Sequence, residues 1–177
     1  GMIQTTIALI NMMNQFGLAP AIIQGENLNQ KRLSSLFWFN MLIGITMTAI
    51  VYFSSNLIAL FFNQPDLTEL LKLISIVFTI VSFSFIQQSI LRKEMKFKEL
   101  FNINIFSTIL YGLITIILAL NNFGVHALVY GFIAKNIIVT LLITIYHKWI
   151  PSIFFSFKTI KDLLNFGVYV FGTSIIN

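Results

Sequence analysis

The chain has 177 residues, 57% of them hydrophobic and 10% charged, with a net charge of +5 and no cysteine. Soluble domains carry about 25% charged residues, so this composition cannot clothe a water-facing surface, and much of the exterior must face lipid. Without cysteine this stretch has no disulfide, no thiolate metal site and no cysteine nucleophile.

The first apolar segment is Met2–Phe16. It is shorter than the roughly 20 residues a membrane crossing needs. No basic residue precedes Met2–Met13 and no small-residue cleavage pattern follows it, so it does not read as a secretory signal. Gln4, Asn11 and Gln15 follow i, i+7, i+11 and share one helical face, with Asn14 beside them.

Leu33–Phe62 comes next and exceeds one crossing. Tilt, or an interfacial first turn around Trp38, absorbs the excess. Leu70–Leu91 carries Ser75, Thr79 and Ser82 on one face. Phe101–Leu120 carries Asn104, Thr108, Tyr111 and Thr115 at i, i+4, i+7, i+11. Val125–Tyr146 contains Lys135, and Leu163–Ile176 starts a further span. Runs such as Ile74–Ile80 and Ile137–Ile145 are apolar at too many consecutive positions for the alternation of a transmembrane barrel. The expected fold is therefore all-α, a polytopic transmembrane helical bundle. Both terminal segments are shorter than a crossing, so the expectation is four complete helices between two partial ones, a fragment of a longer protein.

The connections alternate in charge. Lys31 and Arg32 lie before the first long span, Arg92, Lys93, Lys96 and Lys98 between the second and third, and Lys148, Lys158 and Lys161 after the fourth. Nine of the eleven basic residues thus sit on one side, which the positive-inside rule makes cytoplasmic. The connections Asn63–Glu69 and Asn121–Gly124 hold no lysine or arginine, although Lys72 follows closely. These basic clusters are short and juxtamembrane, so no nucleic-acid partner is expected. On the inner side, Ile150–Asn165 reads as an amphipathic interfacial helix. Phe157, Ile160 and Leu164 lie on one face, Lys158, Lys161 and Asp162 on the other, and Pro151 breaks the chain ahead of it. It fits a linker between two halves of a transporter and, equally, an ordinary juxtamembrane helix.

Polar residues inside spans face other helices or a water-filled cavity. Two readings fit the stripes: a hydrophilic cavity suited to sugar hydroxyls, or hydrogen-bonded glue between helices. The amide stripe of Gln4, Asn11 and Gln15 favours the cavity, because a buried amide costs more than a hydroxyl. Lys135 lies about ten residues into its span, roughly 15 Å deep, too far to snorkel. Inserting a lysine there costs at least about 2.5–3.5 kcal/mol. It either attracts an anionic group, such as a lipid diphosphate, into a central cavity or is a structural lysine that is solvated by water, neutralised, or hydrogen-bonded to neighbouring carbonyls. The candidate substrate-binding residues are Lys135, Asn11, Gln15, Gln4, Asn104 and Tyr111; no catalytic residue, metal or cofactor is expected.

Phe16–Gln24 (Phe-Gly-Leu-Ala-Pro-Ala-Ile-Ile-Gln), Leu33–Asn40 (Leu-Ser-Ser-Leu-Phe-Trp-Phe-Asn), Leu91–Lys98 (Leu-Arg-Lys-Glu-Met-Lys-Phe-Lys), Phe123–Val129 and Leu164–Gly167 together resemble Wzx-type polysaccharide flippases. These belong to the multidrug/oligosaccharidyl-lipid/polysaccharide exporter superfamily. His126 departs from the aromatic residue common there. The resemblance implies one lobe of a two-lobe alternating-access transporter: first-lobe helices over 1–149, a cytoplasmic linker over 150–162 and the start of the second lobe over 163–177. It implies a bacterial cytoplasmic-membrane protein that moves undecaprenyl-diphosphate-linked oligosaccharide between leaflets. Membrane lipids would surround it, and it would act as a monomer or with polysaccharide assembly proteins. The family offers no strict site motif, so the site residues rest on the reading above. Alternatives are a drug or cation exporter of the same fold, which wants acidic cavity groups, and a membrane-embedded glycosyltransferase or polymerase, which wants large outer loops bearing acid, base or arginine. A purely structural membrane subunit would leave Lys135 and the amide stripe without purpose.

Overall fold

The computed structural model describes Ala19, Ile22, Ile23 and residues 28–164. Four long helices dominate them: α1 (Gln30–Phe61), α2 (Leu67–Lys93), α3 (Phe97–Leu120) and α4 (His126–His147). All four are long and apolar enough to cross a membrane. Their bounds fall within four residues of the expected spans. At about 1.5 Å per residue even α4, with 22 residues, matches a hydrocarbon core of about 30 Å. Met2–Phe16, with Gln4, Asn11 and Gln15, lies outside the described residues, as does all of the last span beyond Leu164.

The turns explain why the helices stop where they do. After α1, α2 and α3 the chain enters the left-handed region at Asn63, Met95 and Asn122. In each case the next amide reaches back five residues: Gln64 N–H to the Ala59 carbonyl, Lys96 to Leu91, and Phe123 to Leu118. This Schellman arrangement satisfies carbonyls that a helix end otherwise leaves orphaned. At the start of α1, the Asn29 side chain accepts from the Arg32 amide at 2.9 Å, an ordinary N-cap.

The helices pack in the order α1–α2–α4–α3, with α2 and α4 central. The α1–α2 seam is held by polar contacts. The Asn40 Nδ2 donates to the Ser82 carbonyl at 3.0 Å. Thr48 donates to the Ser75 carbonyl at 2.9 Å and lies 2.8 Å from the Thr79 hydroxyl. Gly44 permits this approach: a Cβ there would lie 2.1 Å from Ser82 Oγ. At the α3–α4 seam Gly131 plays the same part, since a Cβ would sit 2.2 Å from Thr115 Oγ1 and 3.1 Å from the Tyr111 ring. Small residues at crossings are how membrane helices gain dispersion contacts when lipid is as apolar as the helix surface. The faces turned away from these seams expose Leu42, Phe53, Leu57, Leu113, Ile117, Leu141 and Ile145. Such continuous apolar surface suits a bilayer and not water.

After α4 the chain turns at Lys148, in left-handed backbone, and crosses the inner end of α1. The expected helix over Ile150–Asn165 begins only at residue 157; residues 150–156 are non-helical. Pro151 blocks continuation, and the backbone here bonds to α1 side chains instead of to itself. Ser152 N–H and Oγ both meet Ser34 Oγ at 2.9 Å, and the Ser156 amide meets Ser35 Oγ at 3.1 Å. The buried face also differs from the expected one. Ile160 and Leu163 are buried against Leu33, Leu36, Phe37 and Ile86, with Leu164 partly so, whereas Phe157 stays exposed. Contact with α1 selects the face, which residue spacing alone does not.

Candidate functional site

Lys135 stands nine residues from the start of α4 and twelve from its end, so its Cα is about 14 Å and 18 Å from the two. That places it near the middle of the span. The α3–α4 register fixes what lies at its level. Leu100 packs with Ile143, with Ile103 and Val139 beside them, and Tyr111 and Thr115 meet Gly131. The two helices run antiparallel, so Lys135, one turn from both Gly131 and Val139, is level with Ser107 and Thr108. Asn104 and Tyr111 lie one turn to either side.

Three of the six expected site residues thus lie within about one turn of the Lys135 level along the α3–α4 pair, and they are not equally free. Asn104 is exposed on the open side of α3, and its Nδ2 donates to the Leu100 carbonyl at 2.7 Å, which leaves its Oδ1 for a ligand. Thr108 is exposed beside it. Tyr111 is half-buried, its ring seated on Gly131. Thr115 Oγ1 is buried against Gly131 without a hydrogen bond among the described residues, so this end of the stripe serves packing. Lys135 is half-buried and meets no hydrogen-bonding or ionic partner among the described residues. The carboxylates of the four long helices sit in first turns, Glu69 on α2 and Glu99 on α3. The stripe Ser75, Thr79 and Ser82 turns inward as glue between α1 and α2. Gln4, Asn11 and Gln15 lie outside the described residues.

A second polar ladder escaped the sequence reading. Asn136, Thr140, Thr144 and His147 follow i, i+4, i+8, i+11 along the inner half of α4. Thr140 Oγ1 donates to the Ile80 carbonyl at 3.2 Å and lies 3.1 Å from Ser84 Oγ, which accepts from Gln88 Nε2 at 3.0 Å. The ladder's signal in the sequence is the same helical spacing that marks the α3 stripe. Further in, Gln87 is buried and its Nε2 donates to the Trp149 carbonyl at 3.2 Å, while its Oε1 has no partner among the described residues.

Two carboxylates of the inner face, Glu94 and Asp162, are paired locally. Glu94 lies 2.7 Å from Lys96, whose hydrogen bond pulls the carboxyl down from its ordinary value and raises the lysine. Arg32 bonds Asp162 and holds that carboxyl below its ordinary value. The outer face is sparse: His126 Nε2 lies 3.6 Å from Glu69, and Lys72 sits over the Tyr52 ring. Asn56, Asn63, Gln64 and Thr68 line an open outer cleft of about 380 Å³.

The comparisons bear on the same architecture. The lipopolysaccharide biosynthesis protein WzxC of Escherichia coli is 28% identical over 174 residues, 97% of this chain and 35% of its own length. The teichuronic acid biosynthesis protein TuaB of Bacillus subtilis is 27% identical over 91% of this chain and 34% of its own. The succinoglycan biosynthesis transport protein ExoT of Rhizobium meliloti is 21% identical over 98% of this chain and 35% of its own. This chain therefore spans about a third of the length of these relatives. No solved structure matches it significantly. All of residues 1–177 match a single family, in keeping with a bundle of membrane-crossing helices, and the chain belongs to that family of polysaccharide biosynthesis proteins.

Proposed function

We propose that this chain is part of a flippase, a transporter and not an enzyme, that carries undecaprenyl-diphosphate-linked oligosaccharide across the bacterial cytoplasmic membrane. The observation that carries the proposal is Lys135. It is a cation at mid-depth, without a counter-charge among the described residues, level with the polar edge of α3. A lone ammonium in a span requires an anion or water, and a lipid diphosphate is an anion that has to pass this depth. Asn104, Thr108 and Tyr111 would offer hydrogen bonds to the first sugars, while the lipid tail stays in the bilayer. Alternating access then needs only a difference in affinity between inward and outward states. A second lobe beyond residue 164 would supply the opposing wall. Relatives named for lipopolysaccharide, teichuronic acid and succinoglycan biosynthesis support the substrate class. A cation exporter of the same fold would want an intramembrane carboxylate, and those of the four long helices lie in first turns.

The test is flipping of lipid-linked oligosaccharide in proteoliposomes of the intact protein. Lys135→Glu should lower the rate roughly tenfold or more, since like charges brought together cost several kcal/mol. Lys135→Arg should retain most of it, and expression should be unchanged in both. Normal flipping by Lys135→Glu would remove Lys135 from the pathway.

A further inference from the structure

The strap of residues 148–164 has two unlike sides. One is bonded to the bundle. The Gln30 Nε2 donates to the Ile150 carbonyl at 2.8 Å. Trp38 Nε1 donates to the Ser152 carbonyl at 2.9 Å, and Arg32 Nε to the Thr159 carbonyl at 3.0 Å. The other side is apolar and basic. Ile153 is 100% exposed, and Ile150, Phe155 and Phe157 are more than half exposed. Lys148, Lys158 and Lys161 are exposed among them and have no acidic partner among the described residues. In the helical segment 157–164 the exposed positions Phe157, Lys158, Lys161 and Asp162 form one continuous arc at 100° per residue. At its rim, Asp162 is already engaged by Arg32.

Two observations set the depth of this surface. The strap joins the inner end of α4 to the inner ends of α1 and α2. Both tryptophans of the chain are tied into it: Trp38 as above, and Trp149 through its Nε1 to Gln30 Oε1 at 2.6 Å. Tryptophan settles at the headgroup level, where its ring meets hydrocarbon and its N–H meets polar groups. An exposed Ile-Phe-Phe run at that level, flanked by unpartnered lysines, matches the two chemistries of a lipid surface.

We propose that residues 148–164 form a docking surface for anionic phospholipids of the inner leaflet, Ile153, Phe155 and Phe157 entering the acyl boundary and Lys148, Lys158 and Lys161 holding the phosphates. Lipid enters here as a bound ligand chosen by charge, independent of any transported substrate. A lysine at an anionic surface contributes about fivefold in local binding, so three produce a marked preference for one headgroup.

The experiment uses the intact protein in nanodiscs, with any cysteine outside these 177 residues replaced by serine and Ile153→Cys carrying bimane; the 177 residues themselves have no cysteine. Nanodiscs contain brominated phosphatidylglycerol in phosphatidylcholine, or brominated phosphatidylcholine in the same lipid mixture at equal bromine content. Quenching should be at least about twofold stronger from the anionic lipid. The triple variant Lys148→Gln/Lys158→Gln/Lys161→Gln, at exposed positions, should equalise the two while keeping the quenching itself. Equal quenching in the parent would mean a surface without headgroup choice and would overturn the proposal. No quenching from either lipid would mean that another part of the protein covers the strap, and would overturn it as well. Transport is not the readout, so either failure leaves the flippase reading untouched.

Discussion

The α1–α2 seam and the α3–α4 seam hold similar polar residues and spend them differently. Between α1 and α2, Asn40, Thr48, Ser75, Thr79 and Ser82 bond across the crossing or lie closed within it, at the point where Gly44 lets the backbones meet. Between α3 and α4 the close contact at Gly131 uses Tyr111 and Thr115, and the next turn opens onto Asn104, Thr108 and Lys135. Polar groups closed inside a crossing stabilise the bundle. Polar groups left at an open edge at mid-depth stabilise nothing within these four helices, and an edge of that kind is where a ligand or a facing lobe has something to gain. The lesson is that burial of the seam, more than residue type, separates glue from site.

Substitutions at the two seams should separate their roles. The largest effect should come from Lys135→Glu on flipping, with stability little altered because the side chain has no partner among the described residues to lose. Gly44→Val should be the reverse. A Cβ 2.1 Å from Ser82 Oγ forces α1 from α2 and should cost about 1–3 kcal/mol, read as an earlier thermal unfolding transition in detergent. Asn104→Leu, on the open edge, should stay within about 0.5 kcal/mol by the same measurement while slowing flipping; an equal loss of stability at both positions would erase the distinction drawn between the seams. Met95→Gly tests the turns: Met95 is held at φ 56°, a conformation costing a side chain about 1–2 kcal/mol, so glycine should raise stability by up to about 1 kcal/mol after its greater unfolded entropy is subtracted.

The smallest effect belongs to the strap. Asp162 is held below the ordinary carboxyl value of 3.8 chiefly by its hydrogen bond from Arg32. A depressed carboxyl contributes its stability fully above the unfolded value and loses it as pH falls through the folded one, so the Arg32–Asp162 tie should weaken only below about pH 4. Asp162 is 64% exposed, and solvent screening limits such a pair to about 0.2–1 kcal/mol. Asp162→Asn should therefore remove a small pH-dependent step in strap protection, measured by hydrogen exchange at Thr159–Leu163, and leave the neutral-pH unfolding temperature nearly unchanged.

Much of the molecule was legible from the residues. Span positions follow from local hydropathy, and the sidedness from nine basic residues on alternate connections, because both depend on transfer from water to lipid, which each segment undergoes on its own. Lys135 was legible for the same reason: depth along a helix is a count of residues. What spacing left open was the fate of each stripe. Ser75, Thr79 and Ser82 and the stripe from Asn104 to Thr115 look alike in sequence, and the fold sends the first wholly into a seam and splits the second. The α4 ladder around Thr140 was legible and overlooked.

The sequence by itself determined that this is a bundle of membrane-crossing helices, which end of it is rich in basic residues, and that one lysine lies near the middle of a span. Tertiary structure alone decided that Ser34 and Ser35 would anchor the strap, that Ile160 and Leu163 rather than Phe157 would turn inward, and that Asn104 would remain on an open edge. The first group follows from the cost of placing single residues in lipid or water. The second depends on which surfaces of distant segments approach closely enough to exclude lipid, a property of pairs of helices that no single segment carries.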